Sequence, residues 1–255
     1  MRQFTWDEKI ARAEKLAHQY PSTSQLLNLY AKMAVFQKHI SQKVNGESGK
    51  DIRVLVRFVP ELNRFVANTN SEFLKTALAK LGSDGDRWTE LLLEYWQKQD
   101  GVGSASEAFL AYALIQPYAQ HVTSRMDIAA ASDSRECPAC GNLPQLSVLR
   151  EYSNGAKRSL TCFLCGTEWE FRRVLCPNCG EQHKDKLPVY TTDEFQQGRI
   201  EACDTCKSYI KCIDLTRDGN AVPVVDDLAT LALDVWAQEQ GYTRVHPNVF
   251  LLSNN

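Results

Sequence analysis

Eight cysteines of the chain form four C-x-x-C pairs, a spacing that is typical of metal sites. The interval between the first two pairs is 21 residues (141–161) and that between the last two is 23 (180–202). Two thiolates three positions apart converge on one metal from a tight turn, whose backbone N–H groups donate to the sulfur atoms. The spacing predicts two tandem sites with these ligands: Cys137, Cys140, Cys162, Cys165 and Cys176, Cys179, Cys203, Cys206.

Three other arrangements of these cysteines compete with that prediction. Disulfides need an oxidising compartment, and the charged segment from Met1 to Tyr20 lacks the apolar run of a signal peptide. Thioredoxin-like redox motifs do not occur as four copies within 76 residues (137–212). A cross-braced arrangement, with pair one beside pair three, is not excluded by spacing. We favour sequential pairing because a predicted β-hairpin brings the second pair back to the first.

The ligand set limits the chemistry without naming the metal. Four sulfur ligands suit both iron and zinc. A site closed by four cysteines leaves no position for water or substrate, so metal-assisted hydrolysis is not expected. The sequence also lacks a phosphate-cradling glycine loop and a nucleophile elbow. We therefore expect a protein that is not an enzyme. The ninth cysteine, Cys212, is interpreted as a small buried hydrophobe, and His183 is not needed as a ligand.

Helical patterns fill the part of the chain that precedes the cysteines. The Thr5–Glu8 capping box predicts a helix from Trp6 to Tyr20, and a broad apolar stripe predicts a second from Ser22 to Ile40. Further helical segments are predicted, at residues 52–66 with a break near Pro60, 71–81, 86–99 and 104–121.

Strand patterns dominate the cysteine region. Strands are predicted at 146–152 and 157–161, joined by a tight turn at Asn154-Gly155, and a third at 167–175. A C-terminal helix, capped by Asp226 or Asp227, is predicted to stop at Gly241.

Together these patterns predict an α+β protein with four parts. We expect a helical domain at 1–131 and two rubredoxin-like or zinc-ribbon modules at 135–175 and 176–217. A C-terminal helix and tail occupy 222–255. Sheets this small lack a core of their own, so metal binding is expected to supply much of their folding free energy.

The charge balance argues against two classes of partner. The 255 residues carry 29 Lys plus Arg and 31 Asp plus Glu, a formal charge of -2. That balance provides no basic field for nucleic acid or anionic lipid. No stretch reaches the roughly 20 apolar residues that span a bilayer. We expect a cytoplasmic protein without membrane insertion and without a nucleic-acid partner.

Three stretches carry a resemblance to a known family. They are residues 137–141 (CPACG) with Pro144, residues 162–169 (CFLCGTEW) leading to 176–179 (CPNC), and residues 226–231 (DDLATL) leading to Gly241-Tyr242 and Pro247-Asn248. On these residues the chain resembles the FdhE family of formate dehydrogenase accessory proteins over about 135–250. Two positions depart from the family pattern: Glu170 stands where His is expected, and Lys207 replaces the glycine of the fourth knuckle.

The resemblance implies a maturation factor for a molybdenum-dependent formate dehydrogenase. It implies two rubredoxin-type metal ions, iron or zinc, and a catalytic subunit as the partner that is held before export or assembly; a homodimer is left open. Candidate partner contacts are Thr167, Glu168, Trp169, Asp226 and Asp227, although core packing for Trp169 and helix capping for the aspartates compete with that role. Rubredoxin-like electron transfer and a zinc-ribbon nucleic-acid binder are the alternative functions.

Overall fold

The fold combines an N-terminal helical region with a sheet that carries the cysteines and with C-terminal helices. The computed structural model describes residues 4–44, 51–97, 103–126, 133–153 and 155–252. The predicted α+β class is confirmed. Within the described residues, no helix is both long and apolar enough to cross a membrane.

Six α-helices and two short 3-10 segments are described before the cysteine region. The α-helices are α1 (Trp6–Gln19), α2 (Ser24–Val44), α3 (Val59–Ala67), α4 (Glu72–Leu81), α5 (Gly85–Gln97) and α6 (Ala105–Thr123), and the 3-10 turns are Pro21–Thr23 and Ile52–Phe58. The break predicted near Pro60 is the junction between the second 3-10 turn and α3, where proline fits the first helical turn. Residues 98–99 of the predicted fifth helix lie outside the described residues.

Capping boxes define where two of these helices begin. The Thr5 hydroxyl accepts from the Glu8 N–H, and the Glu8 carboxylate accepts from the Thr5 N–H at 2.8 Å. Ser104 and Glu107 repeat the arrangement at the start of α6. Each box satisfies backbone donors that the first helical turn leaves without intrahelical partners. The predicted Thr5–Glu8 box is therefore confirmed.

The strands form one sheet that crosses both predicted metal modules. They are β1 (Pro144–Tyr152), β2 (Gly155–Cys162), β3 (Glu168–Glu170), β4 (Val189–Thr191), β5 (Gly198–Cys203), β6 (Ser208–Asp214) and β7 (Thr243–Arg244). Within the described chain the order is β3-β2-β1-β6-β5-β4, with β7 beside β6. β1 and β6 pair in parallel, from Leu146 opposite Lys211 to Leu149 opposite Asp214. This pairing joins the two modules through main-chain hydrogen bonds.

The hairpin between β1 and β2 has a different turn from the predicted one. Tyr152 lies opposite Gly155, so the connecting residues are Ser153 and Asn154, of which Asn154 lies outside the described residues. Ser153 has a positive φ of 49°. Gly155 is the first residue of β2 rather than a turn residue.

The C-terminal helix also departs from the prediction. It begins at Pro223 and is divided at Thr230 into α7 (Pro223–Ala229) and α8 (Leu231–Glu239), followed by α9 (Val249–Leu252). Asp226 is inside α7, and its carboxylate reaches back to accept from the Val222 N–H at 2.8 Å. The carboxylate therefore satisfies an N-terminal amide from the first turn instead of preceding the helix.

One hydrophobic core connects the helical region to the first cysteine module. It contains Leu27 and Leu114 from helices together with Leu160, Phe163 and Trp169 from the module. A smaller cluster, which includes Ile200, Tyr209 and Ala237, packs α8 against the second module. The first module is thus the more strongly tied to the rest of the fold.

Candidate metal centres

The eight cysteines of the C-x-x-C pairs meet in two groups of four. Within the described residues, the first group joins pairs one and two and the second joins pairs three and four. In each group all sulfur atoms lie within 4.8 Å of one another. The grouping is the sequential one that we favour from the hairpin, rather than the cross-braced one.

The sulfur separations of the second group agree with tetrahedral coordination, and those of the first group are slightly shorter. A metal with bonds of about 2.3 Å to four sulfurs holds those sulfurs about 3.8 Å apart. In the second group Cys176 Sγ lies 3.8 Å from Cys206 Sγ, and Cys179 Sγ lies 3.7 Å from Cys203 Sγ. The Cys140 Sγ of the first group lies 3.4 Å from both Cys162 Sγ and Cys165 Sγ. Each group could hold one metal ion.

Tight turns present the paired thiols. The Cys137 N–H donates to the Asn142 carbonyl at 2.7 Å, and the Gly141 N–H donates to the Cys137 carbonyl at 2.8 Å. The third pair repeats this geometry, with the Cys176 N–H donating to the Glu181 carbonyl at 2.9 Å. The Asn178 N–H lies 3.4 Å from Cys176 Sγ, which is the amide-to-sulfur contact expected of a knuckle.

A glycine ends three of the four knuckles because the chain there adopts a positive φ. Gly141, Gly166 and Gly180 have φ of 74°, 68° and 81°, and Lys207 takes the equivalent position with φ of 53°. The Lys207 ammonium contacts the Asp204 carboxylate at 2.7 Å. The fourth knuckle therefore keeps the left-handed turn without a glycine.

We expect Gly141→Ala to lower the free energy of unfolding by about 1 kcal/mol, since a left-handed φ costs an L-residue roughly that much. An added Cβ at Gly141 meets no atom within 4 Å, so strain is the sole expected cause. Gly155→Ala is the matched control, because its site is equally open and lacks the positive φ. Urea denaturation measures both. Equal stability of the two variants would contradict the turn geometry.

A polar residue two positions after a cysteine contacts sulfur in three of the knuckles. Asn142 Nδ2 lies 3.5 Å from Cys140 Sγ, and Thr167 Oγ1 lies 3.1 Å from Cys165 Sγ. Ser208 Oγ lies 2.9 Å from Cys206 Sγ. Asn142 donates to its sulfur, whereas the Cys165 thiol donates to the Thr167 hydroxyl. With the thiols ionised on a metal, the amide and both hydroxyls can donate to sulfur and stabilise the thiolate charge. These contacts were not predicted, although the recurring spacing of a polar residue after the cysteine is a signal for them in the sequence.

The two groups differ in their exposure to solvent. Cys137, Cys162 and Cys165 are buried, whereas Cys179 of the second group is exposed. Burial raises the pKa of Cys162 well above its ordinary value. At Cys206, burial acts to raise the pKa, but hydrogen bonds from Ser208 lower it to about 6. The second group is therefore the one more open to solvent and to other molecules.

Two family models match the part of the chain that carries these groups. The model for the FdhE central domain matches residues 136–173, and that for the FdhE C-terminal domain matches residues 174–251. The two matches cover all eight cysteines of the metal groups. Residues 136–251 belong to the FdhE family.

Individual FdhE relatives differ in how much of the chain they match. An FdhE homolog from Aquifex aeolicus is 43% identical over 114 residues, 44% of this chain and 40% of the relative. One from Haemophilus influenzae strain PittEE is 30% identical over 203 residues, 78% of this chain and 64% of the relative. The chain thus aligns with less than two thirds of the length of each of these two relatives.

The fold is shared with a solved FdhE structure. The crystal structure of the FdhE protein from Pseudomonas aeruginosa matches with a TM-score of 0.74, covering 98% of this chain and 97% of that one at 22% identity. At this identity the likeness establishes the fold alone. The helical region, where the resemblance in sequence is weakest, is included in the match.

The FdhE motif residues Thr167, Glu168 and Trp169 have contacts inside the protein. Trp169 is buried, and its Nε1 donates to the Ser134 carbonyl at 2.8 Å. The Glu168 carboxylate accepts two hydrogen bonds from the Arg150 guanidinium, at 3.0 and 2.8 Å. Thr167 lies beside Cys165. These residues follow the second knuckle and line a cavity beside it.

Asp226 and Asp227 of the FdhE motif are interior residues with cationic partners. Both are less than 2% exposed. Arg12 donates to Asp226 at 2.6 and 3.0 Å, and Arg244 donates to Asp227 at 2.7 and 2.8 Å. The structure therefore buries these two carboxylates. A basic peptide would have to meet carboxylates at the surface. Neither arginine was predicted as a partner from the sequence. Arg12 is 214 positions away from Asp226, and Arg244 belongs to none of the motifs.

The remaining candidates lie outside the metal groups. Cys212 is fully buried on β6, in agreement with its interpretation as a small hydrophobe, and burial raises its pKa. His183 is exposed and belongs to neither group of the described residues. The eight paired cysteines are sufficient for two closed four-sulfur sites.

Proposed function

We propose that this chain is a non-enzymatic accessory protein that supports the assembly of a formate dehydrogenase. In this proposal the eight paired cysteines bind two metal ions, and the catalytic subunit is the partner. The observation that carries the proposal is a pair of closed four-sulfur groups in one sheet, within the residues that belong to the FdhE family. The cytoplasmic location stays a prediction of the sequence.

The coordination supports a binding role rather than catalysis. Four sulfur atoms complete a tetrahedron, so each site leaves no open position for substrate or water. The ordered sheet between the two groups would instead make a rigid platform. A metal in each group would contribute folding free energy because its ligands meet only in the folded chain.

Binding to the catalytic subunit is the direct test. The full chain and the purified catalytic subunit of the same organism's formate dehydrogenase are mixed anaerobically and separated by size-exclusion chromatography. We expect one co-eluting species with the metal retained. The catalytic subunit of an unrelated molybdenum enzyme is the negative control. Separate elution from the formate dehydrogenase subunit, with and without its cofactors, would overturn the proposal.

Electron transfer is a second candidate because Cys179 brings the second group to the surface. With iron bound there, a surface thiolate would shorten the path to a redox partner. This candidate requires iron and a reversible ferric-to-ferrous couple. Visible charge-transfer absorption that bleaches with dithionite and returns with air would support it. Full accessory activity in a zinc-only preparation would exclude it.

We expect the two metal ions to leave at different rates. The second group has an exposed ligand, whereas three of the four ligands of the first group are buried. A chromogenic chelator should therefore remove one equivalent rapidly and the other slowly. Cys179→Ser should eliminate the rapid phase while Cys212→Ser leaves both phases intact. A single phase that accounts for two equivalents would contradict the difference in exposure.

A further inference from the structure

A cavity of about 450 Å³ lies between the helical region and the first metal module. Residues of α1, α2 and α6 form one side, and β2, the second knuckle and β3 form the other. The cavity extends to Cys162 and Cys165. Its aromatic lining residues are Phe4, Trp6, Tyr30, Tyr112, Phe163 and Trp169.

Lys9 is a buried cation on the wall of this cavity. It is 8% exposed, and within the described residues no carboxylate or hydrogen-bond acceptor contacts its amine. Its ammonium lies 4.3 Å from the centre of the Trp6 ring. Burial lowers the pKa of Lys9 to about 8, so the amine is still mostly protonated at pH 7. An ammonium that lines a cavity and has no ion-pair partner can be neutralised by an anion that enters the cavity.

Two neutral polar atoms in the cavity wall are also without partners among the described residues. They are the Gln116 side-chain oxygen and the Thr161 hydroxyl. Gln116 is 6% exposed and Thr161 is 7% exposed, so neither group is at the open surface. Leaving a buried polar atom unpaired is destabilising. The amide oxygen of Gln116 requires an N–H or O–H donor.

The other charged groups around the cavity neutralise one another. Arg150 pairs with Glu168 at 2.8 Å, and Lys157 pairs with Glu170 at 2.7 Å. Of the charged residues described in this wall, Lys9 is therefore the one whose charge an occupant can balance. The Lys9 ammonium and the Gln116 side-chain oxygen together fit an occupant in which a carboxylate lies next to an N–H donor.

A polypeptide segment supplies both groups along one chain. Peptide N–H and C=O groups match glutamine amides, and Gln116 and Gln120 line the cavity. Gln37 and Gln145 also line it, but their amides donate inside the protein, to the Ala113 carbonyl and to Asp227. The volume is near the lower end of the roughly 300–1,000 Å³ range of ligand sites, so it suits a few residues. Exposed Ser124 and Met126 at its edge leave an entrance from solvent.

We propose that this cavity binds a short acidic segment of the partner polypeptide, with a carboxylate on the Lys9 ammonium and a backbone N–H on the Gln116 oxygen. The proposal rests on the proposed accessory function for the identity of the partner. It assigns the docking site to the interface between α1, α6 and the first metal module. An occupant at this position would lie beside Cys162 and Cys165, which are already buried.

The test uses the full chain and fluorescent 12-residue peptides that tile the formate dehydrogenase catalytic subunit. Each acidic peptide is paired with a copy in which Asp or Glu is replaced by Asn or Gln. We expect anisotropy to detect binding by at least one acidic peptide, and its amide copy to bind about tenfold more weakly or worse. Free glutamate and acetate are included as competitors. No binding by any acidic peptide, or displacement of a bound peptide by either small acid at a concentration equal to that of the peptide, would overturn the polypeptide assignment.

Variants separate a binding role from a structural one. Lys9→Met should weaken peptide binding at least about tenfold and also raise the melting temperature, because it removes a buried unpaired charge. Gln116→Leu should weaken binding to a similar extent. Lys15→Met, at an exposed position of α1, is the matched control and should change neither quantity. A lower melting temperature for Lys9→Met with unchanged peptide affinity would overturn the proposal.

Binding of the whole catalytic subunit distinguishes this failure from failure of the proposed function. No complex with the wild-type chain would overturn the accessory function itself. A normal complex that is unaffected by Lys9→Met would overturn the cavity assignment alone. Loss of the complex in Lys9→Met, with Lys15→Met unaffected, would support both.

Discussion

Cys162→Ser will release the metal of the first group and destabilise most of the chain. Cys162 is 1% exposed and belongs to the same hydrophobic core as the helices. Serine cannot replace the thiolate, and structural zinc sites contribute on the order of 10 to 16 kcal/mol in isolated fingers. We expect bound metal to fall from two ions per chain to one and the cooperative thermal transition to broaden or disappear.

The same change in the second group should have a more local effect. Cys179 is exposed, and the cluster behind the second module is small. Cys179→Ser should also reduce the metal content to one per chain, but helical circular dichroism should be retained. Cys212→Ser controls for loss of a thiol outside both groups and should retain two ions. Equal global unfolding in Cys162→Ser and Cys179→Ser would contradict the asymmetry of the two cores.

Asp227→Ala will lower the free energy of unfolding by about 3 to 5 kcal/mol, which is typical when one partner of a buried ion pair is removed. The carboxylate accepts from Arg244 at 2.7 Å and from Asn248 at 2.8 Å, and it lies 3.2 Å from the Lys211 ammonium. Removing it leaves two buried cations that share one anion, Asp234, among the residues that the structure describes. Because Lys211 is on β6 and Arg244 on β7, the loss also separates α7 from the sheet.

Urea denaturation at pH 7 measures this change. Asp193→Ala removes an exposed carboxylate and is expected to alter stability by less than about 0.5 kcal/mol. Metal content of Asp227→Ala should remain at two where the chain is folded, since Asp227 is not a ligand in either group. A loss below about 1 kcal/mol for Asp227→Ala would show that the network does not hold the helix to the sheet.

The pH dependence of stability follows from the same carboxylate. Burial acts to raise the pKa of Asp227, but Arg244 and Lys211 lower it to about 2, below its ordinary 3.8. Its stabilising contribution is therefore present above about pH 4 and is lost as the pH falls from 3.8 towards 2. In Asp227→Ala this part of the acid sensitivity should be absent.

The metal groups were predictable because their information is local. Two cysteines three residues apart define a knuckle, and a hairpin of fixed length returns the next pair to it. The helix start at Thr5 was predictable for the same reason, because its capping box lies within four residues. Periodicity and capping involve residues within one or two helical turns, and over this range a sequence pattern predicts the local structure reliably.

The features that were not predicted depend on residues far apart in the chain. The charges of Asp226 and Asp227 were assigned to helix capping or to a partner, whereas Arg12 is 214 positions away from Asp226. The parallel pairing of β1 with β6 likewise joins segments that are separated by the third knuckle. Lys9 reads in the sequence as an ordinary surface lysine of α1. Its burial becomes visible only when α1 packs beside the first module.

Native mass spectrometry of the intact chain is the most direct measurement of the two-site account. The mass should exceed that of the apoprotein by two metal ions, and denaturation with a chelator should restore the apoprotein mass with nine free thiols. Cys137→Ser and Cys176→Ser should each retain one ion, and the double variant none. Two ions retained after either single substitution, or one ion in the unaltered chain, would contradict two independent four-cysteine sites.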